Sequence, residues 1–221
     1  MDGFDRGELN RVRRLPERGH YDKATIYAIV DAAPICHVGF EVDGQPFVIP
    51  TIHARMGDVL LLHGARASRL LKQVEAGKPI CVAVTLLDGL VLARSVFHSS
   101  MNYRSALIFG HGRTVDDAAA KLAALEAISE HLLAGRWADA RQPTARELDA
   151  TAVVAIDIES ASAKVRTGPP GDDEDDYALP IWAGVLPLQV QPLTPISDPR
   201  LDRAVAVPAY LSGVSGSVHN G

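Results

Sequence analysis

The sequence contains few of the features that mark secreted or membrane-spanning proteins. Only two of its 221 residues are cysteines, aromatic residues make up 5%, and no apolar run approaches the ~18 residues that a membrane-spanning helix needs. Cys36 and Cys81 lie inside apolar segments, where cysteine behaves as a small buried hydrophobe, so we expect no disulfide framework. These properties predict a protein of the reducing cytoplasm that does not enter a membrane.

The chain also lacks the excess of basic residues that nucleic-acid binding requires, because its formal net charge is −5 at pH 7. Residues 1–20 are polar and rich in arginine, without the apolar segment of a secretory signal. We predict that residues 1–20 form an N-terminal arm, which either grips a partner subunit or is solvated. Residues 201–221 are predicted to be a flexible tail, and residues 21–200 the single folded domain.

Common catalytic and metal-binding motifs are missing as well. The eight histidines show no H-x-x-x-H spacing and C-x-x-C does not occur, so no metal site is expected. There is no G-x-S-x-G nucleophile elbow, no G-x-G-x-x-G after a strand and no Walker loop. No residue can therefore be assigned a catalytic role from a motif.

The chain does contain about seven short apolar segments joined by tight turns. The clearest is a hairpin in which Asp43-Gly44 joins a strand over Ile35–Val42 to one over Gln45–Ala54. A turn at Asp88-Gly89 is expected between two further strands. Close spacing of strands with few helices between them favours an antiparallel barrel, mainly β with peripheral helices.

The remaining elements are predicted from periodicity and caps. The longest helix is expected from Asp116 to about Ala134, with a buried stripe of Leu122, Leu125, Ile128 and Leu132. Shorter helices are expected after Asp22, over Ala67–Ala76 and at Thr144, where Glu147 completes a capping box. Trp182 lies in an apolar segment and is interpreted from the sequence alone as a core residue.

Two segments combine strand patterns with polar residues that suit a phosphorylated planar ligand. In the first, Val48–Leu71, the run GARASR follows a strand and opens a helix, so Ser68 and Arg69 could hold a phosphate. The alternative is an ordinary capped helix with surface arginines. His63 either contacts a ligand ring or makes a structural hydrogen bond.

The second segment is Ser95–Gly110, in which Asn102 and Tyr103 could hydrogen-bond a heterocycle. Arg104 and Ser105 point to opposite faces of a strand, so both reach one ligand only through a bulge or a second chain. The alternative is a strand start held by structural hydrogen bonds. Lys164 and Arg166 share a strand face and either bind an acid or lie open to solvent.

From Arg18 to Pro199 the chain resembles flavin-nucleotide-binding proteins of the pyridoxamine 5′-phosphate oxidase-like superfamily, which includes nitroimidazole-resistance proteins. The resemblance is carried, in this order, by CHVGF, DGQPFVIPT, LLLHGARASRLL, DGLVLARSVFHSSMNYRSALIFG, GRWAD, AKVRTGPP and IWAGVLP. It implies an antiparallel Greek-key split β-barrel that forms a homodimer, with FMN in two clefts between the subunits. The residues that it places at FMN are Val48, Ile49, Pro50, Thr51, Leu62, His63, Ser68, Arg69, Asn102, Tyr103, Arg104, Ser105 and Trp182.

The chain departs from true pyridoxamine phosphate oxidases in two places. Trp182 is followed by AGVLP instead of an Arg-Leu-His run, and VIPT stands where the family has a basic strand. The resemblance therefore predicts an FMN-dependent oxidoreductase acting on another small molecule. The alternatives are a non-catalytic flavin-binding or sensing protein, and the same barrel carrying haem or a deazaflavin.

Overall fold

The computed structural model describes residues 2–202 and 204–212, so Met1, Arg203 and residues 213–221 of the predicted tail lie outside the described residues. Its centre is an antiparallel sheet of ten strands within that part of the chain. The strands are β1 Gly19–His20, β2 Ile35–Val42, β3 Gln45–Ile52, β4 Ala54–Met56, β5 Val59–Ala65, β6 Pro79–Leu92, β7 Ser100–Thr114, β8 Thr151–Asp157, β9 Ser160–Arg166 and β10 Gly184–Pro187.

Strand β7 organises the sheet because it changes partner along one of its sides. Its first side pairs with β6 over nearly its whole length. On the other side, Tyr103–Phe109 pairs with β9, and Gly112–Thr114 pairs with β8. Seven strands are hydrogen-bonded side by side in the order β3-β2-β6-β7-β8-β5-β4, and β1, β9 and β10 pair outside this path. This division gives the split barrel that the sequence resemblance predicts.

Gly110 occupies the point on β7 where the partner changes. A Cβ atom placed there would lie 1.9 Å from the carbonyl oxygen of Asp157, at the end of β8. Just beyond, the backbone N–H of Glu159 donates to the oxygen of Phe109 at 3.2 Å. Because the connection from β8 to β9 passes directly over β7, only a residue without a side chain fits.

Six helices lie around the sheet in the described residues: α1 Lys23–Ala32, α2 Arg69–Glu75, α3 Ala118–Leu132, α4 Arg136–Asp139, α5 Ala145–Ala150 and α6 Ala209–Ser212. The predicted caps are confirmed. Asp22 accepts from the N–H of Thr25, and Thr144 and Glu147 form the capping box. None of these helices has both the length and the apolar character that crossing a bilayer requires.

Two apolar clusters hold the elements together. The larger lies inside the barrel, where Val38, Val82 and Ile108 from β2, β6 and β7 meet Ile26 and Val30 of α1. The smaller cluster lies between α3 and the opposite face of β5 and β8. Successive residues of β5 and β8 therefore face different clusters. Because both faces of these strands are buried, their sequences are continuously apolar.

The buried face of α3 differs from the predicted stripe. Lys121, Ala124 and Ile128 are its buried residues, whereas Leu122 and Leu132 are exposed. The amphipathic Lys121 side chain replaces leucine because its Nζ donates to the oxygens of Leu148 and Thr151, at 3.1 and 3.0 Å. A hydrophobicity pattern cannot anticipate a lysine whose charge is satisfied by two carbonyl groups.

Two other predictions were wrong. The chain does not turn at Asp88-Gly89, because β6 continues to Leu92 with a β-bulge between Leu87 and Gly89. Trp182 is not a core residue, since 67% of its surface is exposed. A bulge and a tight turn share the same residue preferences, so a local pattern does not separate them.

The predicted N-terminal arm is not a solvated tail. Asn10 is buried and donates from Nδ2 to the oxygen of Ala161 at 3.1 Å. Lys164 donates to the oxygen of Arg14 at 2.8 Å, and β1 pairs with β9. The N-terminal segment thus packs along β9 of its own chain.

We predict that Gly110→Ala destabilises the fold by about 1–3 kcal/mol, because the added methyl group must displace the β8–β9 connection. The measurement is the free energy of unfolding in urea. Gly64→Ala is the matched control, since Gly64 also lies in a strand but a Cβ there has no neighbour within 4 Å. Equal stability of the two variants would contradict the crossing at Gly110.

We predict that stability falls as the pH drops below about 6.5, the ordinary histidine value. His53 is fully buried and its Nε2 lies 3.0 Å from the oxygen of Val30. Burial lowers the pKa of His53, so the unfolded chain binds a proton that the folded chain resists. His53→Leu should reduce the slope of unfolding free energy against pH between 7 and 5. The unsubstituted protein is the reference, and an unchanged slope in His53→Leu would contradict the prediction.

Candidate ligand-binding site

The first part of the site is the corner where β5 leads into α2. Ser68 is the N-cap residue of α2, and its hydroxyl oxygen accepts a hydrogen bond from the N–H of Leu71 at 3.2 Å. A hydroxyl group in this role still has its own proton to donate. The sequence prediction that Ser68 opens the helix is confirmed, and one face of its hydroxyl remains available to a ligand.

Arg69, the next residue, is held by an aromatic ring instead of an acid. Its guanidinium carbon lies 4.3 Å from the centre of the Phe47 ring on β3. No carboxylate lies within ion-pair distance of Arg69 among the described residues. By contrast, Arg66 bonds to Asp149 at 2.9 Å and is thereby occupied. The cation–π contact with Phe47 holds the Arg69 guanidinium group, and its N–H donors have no hydrogen-bond partner among the described residues.

Strand β3 brings the predicted segment Val48–Thr51 beside this corner. It pairs only with β2 in the described sheet, so its other edge carries unpaired backbone groups. Pro46 and Pro50 fit this edge position because proline cannot donate to a sheet ladder. Val48 is 66% exposed and Pro50 is also exposed, whereas Ile49 and Thr51 are half-buried. The edge therefore offers apolar side chains and backbone hydrogen-bonding groups to solvent.

The two predicted residues of β5 lie on opposite sides of their strand. The Leu62 side chain is 2% exposed and belongs to the barrel core, so only its backbone can face a ligand. His63 faces α3 and is half-buried, with its Nδ1 atom enclosed and without a hydrogen-bond partner among the described residues. Burial lowers the pKa of His63, which keeps the imidazole neutral at physiological pH.

The second part of the site is the start of β7. Asn102 is buried and donates from Nδ2 to the oxygen of Gly168 at 3.1 Å. Its Oδ1 accepts a hydrogen bond from Nη1 of Arg166. Both ends of the Asn102 amide are thus hydrogen-bonded within the protein. This agrees with the alternative in which structural hydrogen bonds hold the start of the strand.

Arg104 is likewise paired. Its Nε and Nη2 donate to the two carboxylate oxygens of Asp88 at 3.0 and 2.7 Å. Ser105 accepts from the hydroxyl of Thr85 at 3.2 Å. Tyr103 and Ser105 lie on the outer face of the sheet, while Arg104 follows the opposite face, as expected from strand alternation. The bulge at Asp88, which sequence reasoning missed, positions the acid against Arg104.

Trp182 lies in the loop before β10 with its indole ring packed over Gly184. A Cβ at Gly184 would lie 2.9 Å from the ring, so the missing side chain allows the indole to lie flat on the strand. Strand β10 pairs with the end of β6. Trp182 is therefore an exposed aromatic surface held in place by its own strand.

One chain does not bring the two parts of the site together. Pro50, His37, Ala83 and Leu107 lie side by side across β3, β2, β6 and β7. Three strand spacings separate β3 from β7, a distance of roughly 14 Å across the sheet. Ser105 and Arg104 lie further along β7. The corner at Ser68–Arg69 and the group at Asn102–Ser105 are thus separate surfaces of one protomer.

The outer face of the central strands carries residues that the site prediction did not include. Ile35, Leu87 and Leu107 are exposed there, and Gly39, Ala83 and the polar residues His37 and Thr85 lie between them. The N-terminal segment borders this face, because residues 9–14 line a cleft together with Tyr103, Ser105 and Leu107. We call Ile35, Gly39, Ala83, Leu87 and Leu107 the outer sheet face. The alternation of apolar residues on both sides of β6 was the available sequence signal.

Comparisons with known proteins agree with this architecture. The family described as pyridoxamine 5′-phosphate oxidase matches residues 22–165. Among curated proteins the comparison finds no match. A solved structure of a flavocytochrome, Anf3 from Azotobacter vinelandii, is 43% identical with a TM-score of 0.88, covering 94% of this chain and 97% of its own.

Two further structures show how far the similarity extends. The FAD and haem binding protein from Mycobacterium smegmatis is 35% identical with a TM-score of 0.85, covering 90% of this chain and 98% of its own. A putative 5-nitroimidazole antibiotic resistance protein from Bacteroides thetaiotaomicron is 24% identical with a TM-score of 0.56, covering 65% of this chain and 84% of its own. The last likeness concerns the fold alone.

Proposed function

The chain belongs to the pyridoxamine 5′-phosphate oxidase family, and from this premise we propose that it binds a flavin nucleotide. The observation that carries the proposal is the free guanidinium group of Arg69 beside the hydroxyl of Ser68. Two relatives above 30% identity are named as a flavocytochrome and as a protein that binds FAD and haem. FMN remains the cofactor predicted from the sequence, and FAD is the candidate that the second relative suggests.

The phosphate group is assigned to the Ser68–Arg69 corner because the donors there match its chemistry. A guanidinium group binds phosphate through two parallel hydrogen bonds, and a serine hydroxyl adds a third donor. The contact with the Phe47 ring restrains the Arg69 side chain, which reduces the conformational entropy that binding would otherwise cost.

The flavin ring is assigned to the exposed edge of β3. A planar ring needs apolar contacts on its faces and hydrogen-bonding groups along its rim. Val48 and Pro50 offer the first, and the unpaired backbone edge of β3 offers the second. Since β3 contacts the corner through Phe47, ring and phosphate positions are adjacent on one protomer.

We further propose that the protein is a homodimer with the flavin between subunits. Strands β3 and β7 are three strand spacings apart, and in this proposal a second copy presents Asn102–Ser105 and Trp182 to the corner. The outer sheet face supports this arrangement, since Ile35, Leu87 and Leu107 are exposed apolar side chains on it. Contiguous apolar patches of this kind mark sites of protein association.

A bound flavin supplies hydride or electron transfer, so the protein needs to orient it and exclude water. We propose an oxidoreductase acting on a small molecule other than pyridoxamine phosphate, because AGVLP directly follows Trp182 in place of an Arg-Leu-His run. His63, neutral and half-buried, is the candidate for proton supply; His98, whose Nε2 lies 3.3 Å from Asp173, is the second. The catalytic residues are otherwise unassigned.

A non-catalytic flavin-binding protein is the alternative function. Reduction of an acceptor by NADH or NADPH, compared with the rate for the same concentration of free flavin, distinguishes the two. A faster rate with the protein indicates an enzyme, and an equal rate indicates a binding protein.

Haem as a second cofactor is favoured by the names of both of these relatives. The absorbance spectrum of the isolated protein tests flavin and haem together.

We predict that Arg69→Ala weakens flavin binding by about 1.5–3 kcal/mol, the range for hydrogen bonds to a charged group. Fluorescence titration of the flavin-free protein with FMN and with FAD measures the effect. Arg66→Ala is the matched control, because Arg66 is already paired with Asp149 and should have a much smaller effect. Unchanged affinity in Arg69→Ala would remove the phosphate from this corner.

We predict that Leu107→Glu converts the dimer to a monomer and removes most of the bound flavin, since a charge would be buried in the outer sheet face. Light scattering coupled to size exclusion measures the mass, and absorbance measures the flavin. Leu122→Glu is the control, because Leu122 has similar exposure but lies on α3. A monomer that retains flavin with unchanged affinity would contradict the shared site.

A further inference from the structure

A second cationic site lies outside the Ser68–Arg69 corner, in a cleft between the N-terminal segment and the loop after β9. The cleft has a volume of about 550 Å³ and is lined by Glu17, Arg18 and His20 on one side. Arg166 and the loop residues Thr167 and Pro169–Gly171 form the other side. Three groups that can donate to an anion thus face one space.

Arg166 is a buried cation without an acidic partner. The residue is 8% exposed, and its guanidinium donates only to neutral oxygens: Oδ1 of Asn102 and the carbonyls of Gly168 and Pro169, the latter two at 3.4 and 3.3 Å. No carboxylate lies within ion-pair distance of it among the described residues. Neutral acceptors at these lengths compensate a buried charge poorly.

Other arginines of this chain show what is missing at Arg166. Arg55, Arg94 and Arg104 each direct the guanidinium at an aspartate, and those aspartates are Asp31, Asp172 and Asp88. All three arginines are more exposed than Arg166, yet each has a counter-ion. The fold therefore supplies acids to its other partly buried arginines and leaves this one to a group from outside.

Arg18 increases the positive charge of the same cleft. Burial lowers the pKa of Arg166, and the neighbouring charge of Arg18 lowers it further. Glu17 is the one acid that lines the cleft among the described residues, and it lies 3.9 Å from Arg18 at the exposed rim. Of the five acidic residues that follow Gly171, Asp172 bonds to Arg94 and Asp173 faces His98. Two adjacent guanidinium groups are stabilised when an anion lies between them.

We propose that this cleft binds an oxyanion, the carboxylate or phosphate group of a ligand, through Arg18, His20 and Arg166. The site is distinct from the proposed flavin phosphate corner, since Arg166 lies opposite Tyr103 on β7 whereas Arg69 contacts β3. The planar guanidinium group of Arg166 orients the oxyanion with N–H donors in a fixed geometry. Arg18 and His20 add donors from the N-terminal segment. The segment 16–20, which packs on β9, is thereby a wall of the site.

The proposal is tested on the full-length protein with three probes: inorganic phosphate, succinate and hemin, which carries two propionates. Calorimetry for the first two and absorbance for hemin give the affinities. We expect Arg18→Gln to weaken binding of at least one probe about tenfold, the effect of losing a charge-assisted hydrogen bond. Arg11→Gln is the control on the same segment, because Arg11 is exposed and pairs with Glu8.

Flavin content separates this site from the proposed flavin site. Weaker binding of phosphate, succinate or hemin with unchanged flavin content supports a separate oxyanion site. The probe that is affected then shows whether the site takes a phosphate group, a small carboxylate or a haem propionate. If flavin is lost in proportion, the cleft belongs to the flavin site and the proposal is overturned. It is also overturned if no probe binds more weakly to Arg18→Gln than to Arg11→Gln. Arg166→Lys, which keeps the charge but not the fork, should weaken binding in a chain that remains folded, as confirmed by circular dichroism.

Discussion

The crossing of the β8–β9 connection over β7 is the constraint on which the rest of the structure depends. At Gly110 the carbonyl of Asp157 occupies the space of a Cβ atom, and there β7 changes from one partner strand to another. The change divides the sheet, so β9 lies on one side with the N-terminal segment and β8 on the other with α3. The corner at Arg69 and the cleft at Arg166 lie on different sides of this division.

The polar residues of the molecule differ in whether their own chain satisfies them. Arg104 is paired with Asp88, and Asn102 uses both ends of its amide, so they stabilise the start of β7. Arg69 and Arg166 have no acid among the described residues, although one rests on Phe47 and the other is buried. Because an unpaired guanidinium is a costly group to order or bury, these two positions are where a ligand would be stabilised most.

Local chemistry made much of the fold predictable. The Asp43-Gly44 hairpin and the caps at Asp22, Ser68 and Thr144 follow from turn and cap preferences that act within a few residues. The bulge at Asp88, the buried Lys121 and the exposed Trp182 did not follow. Each depends on partners far along the chain: Arg104 for Asp88, the carbonyls of Leu148 and Thr151 for Lys121, and strand β10 for the indole.

By itself, the sequence determined the antiparallel class, the family and the identity of the polar groups, because these depend on residue type and short spacing. Only the tertiary structure decided which of those groups are free. The positions of Val48 and Pro50 on an open edge, of Leu62 in the core and of Arg166 in a cleft with Arg18 all result from strand order. Strand order is set by contacts between distant residues, which a one-dimensional pattern does not contain.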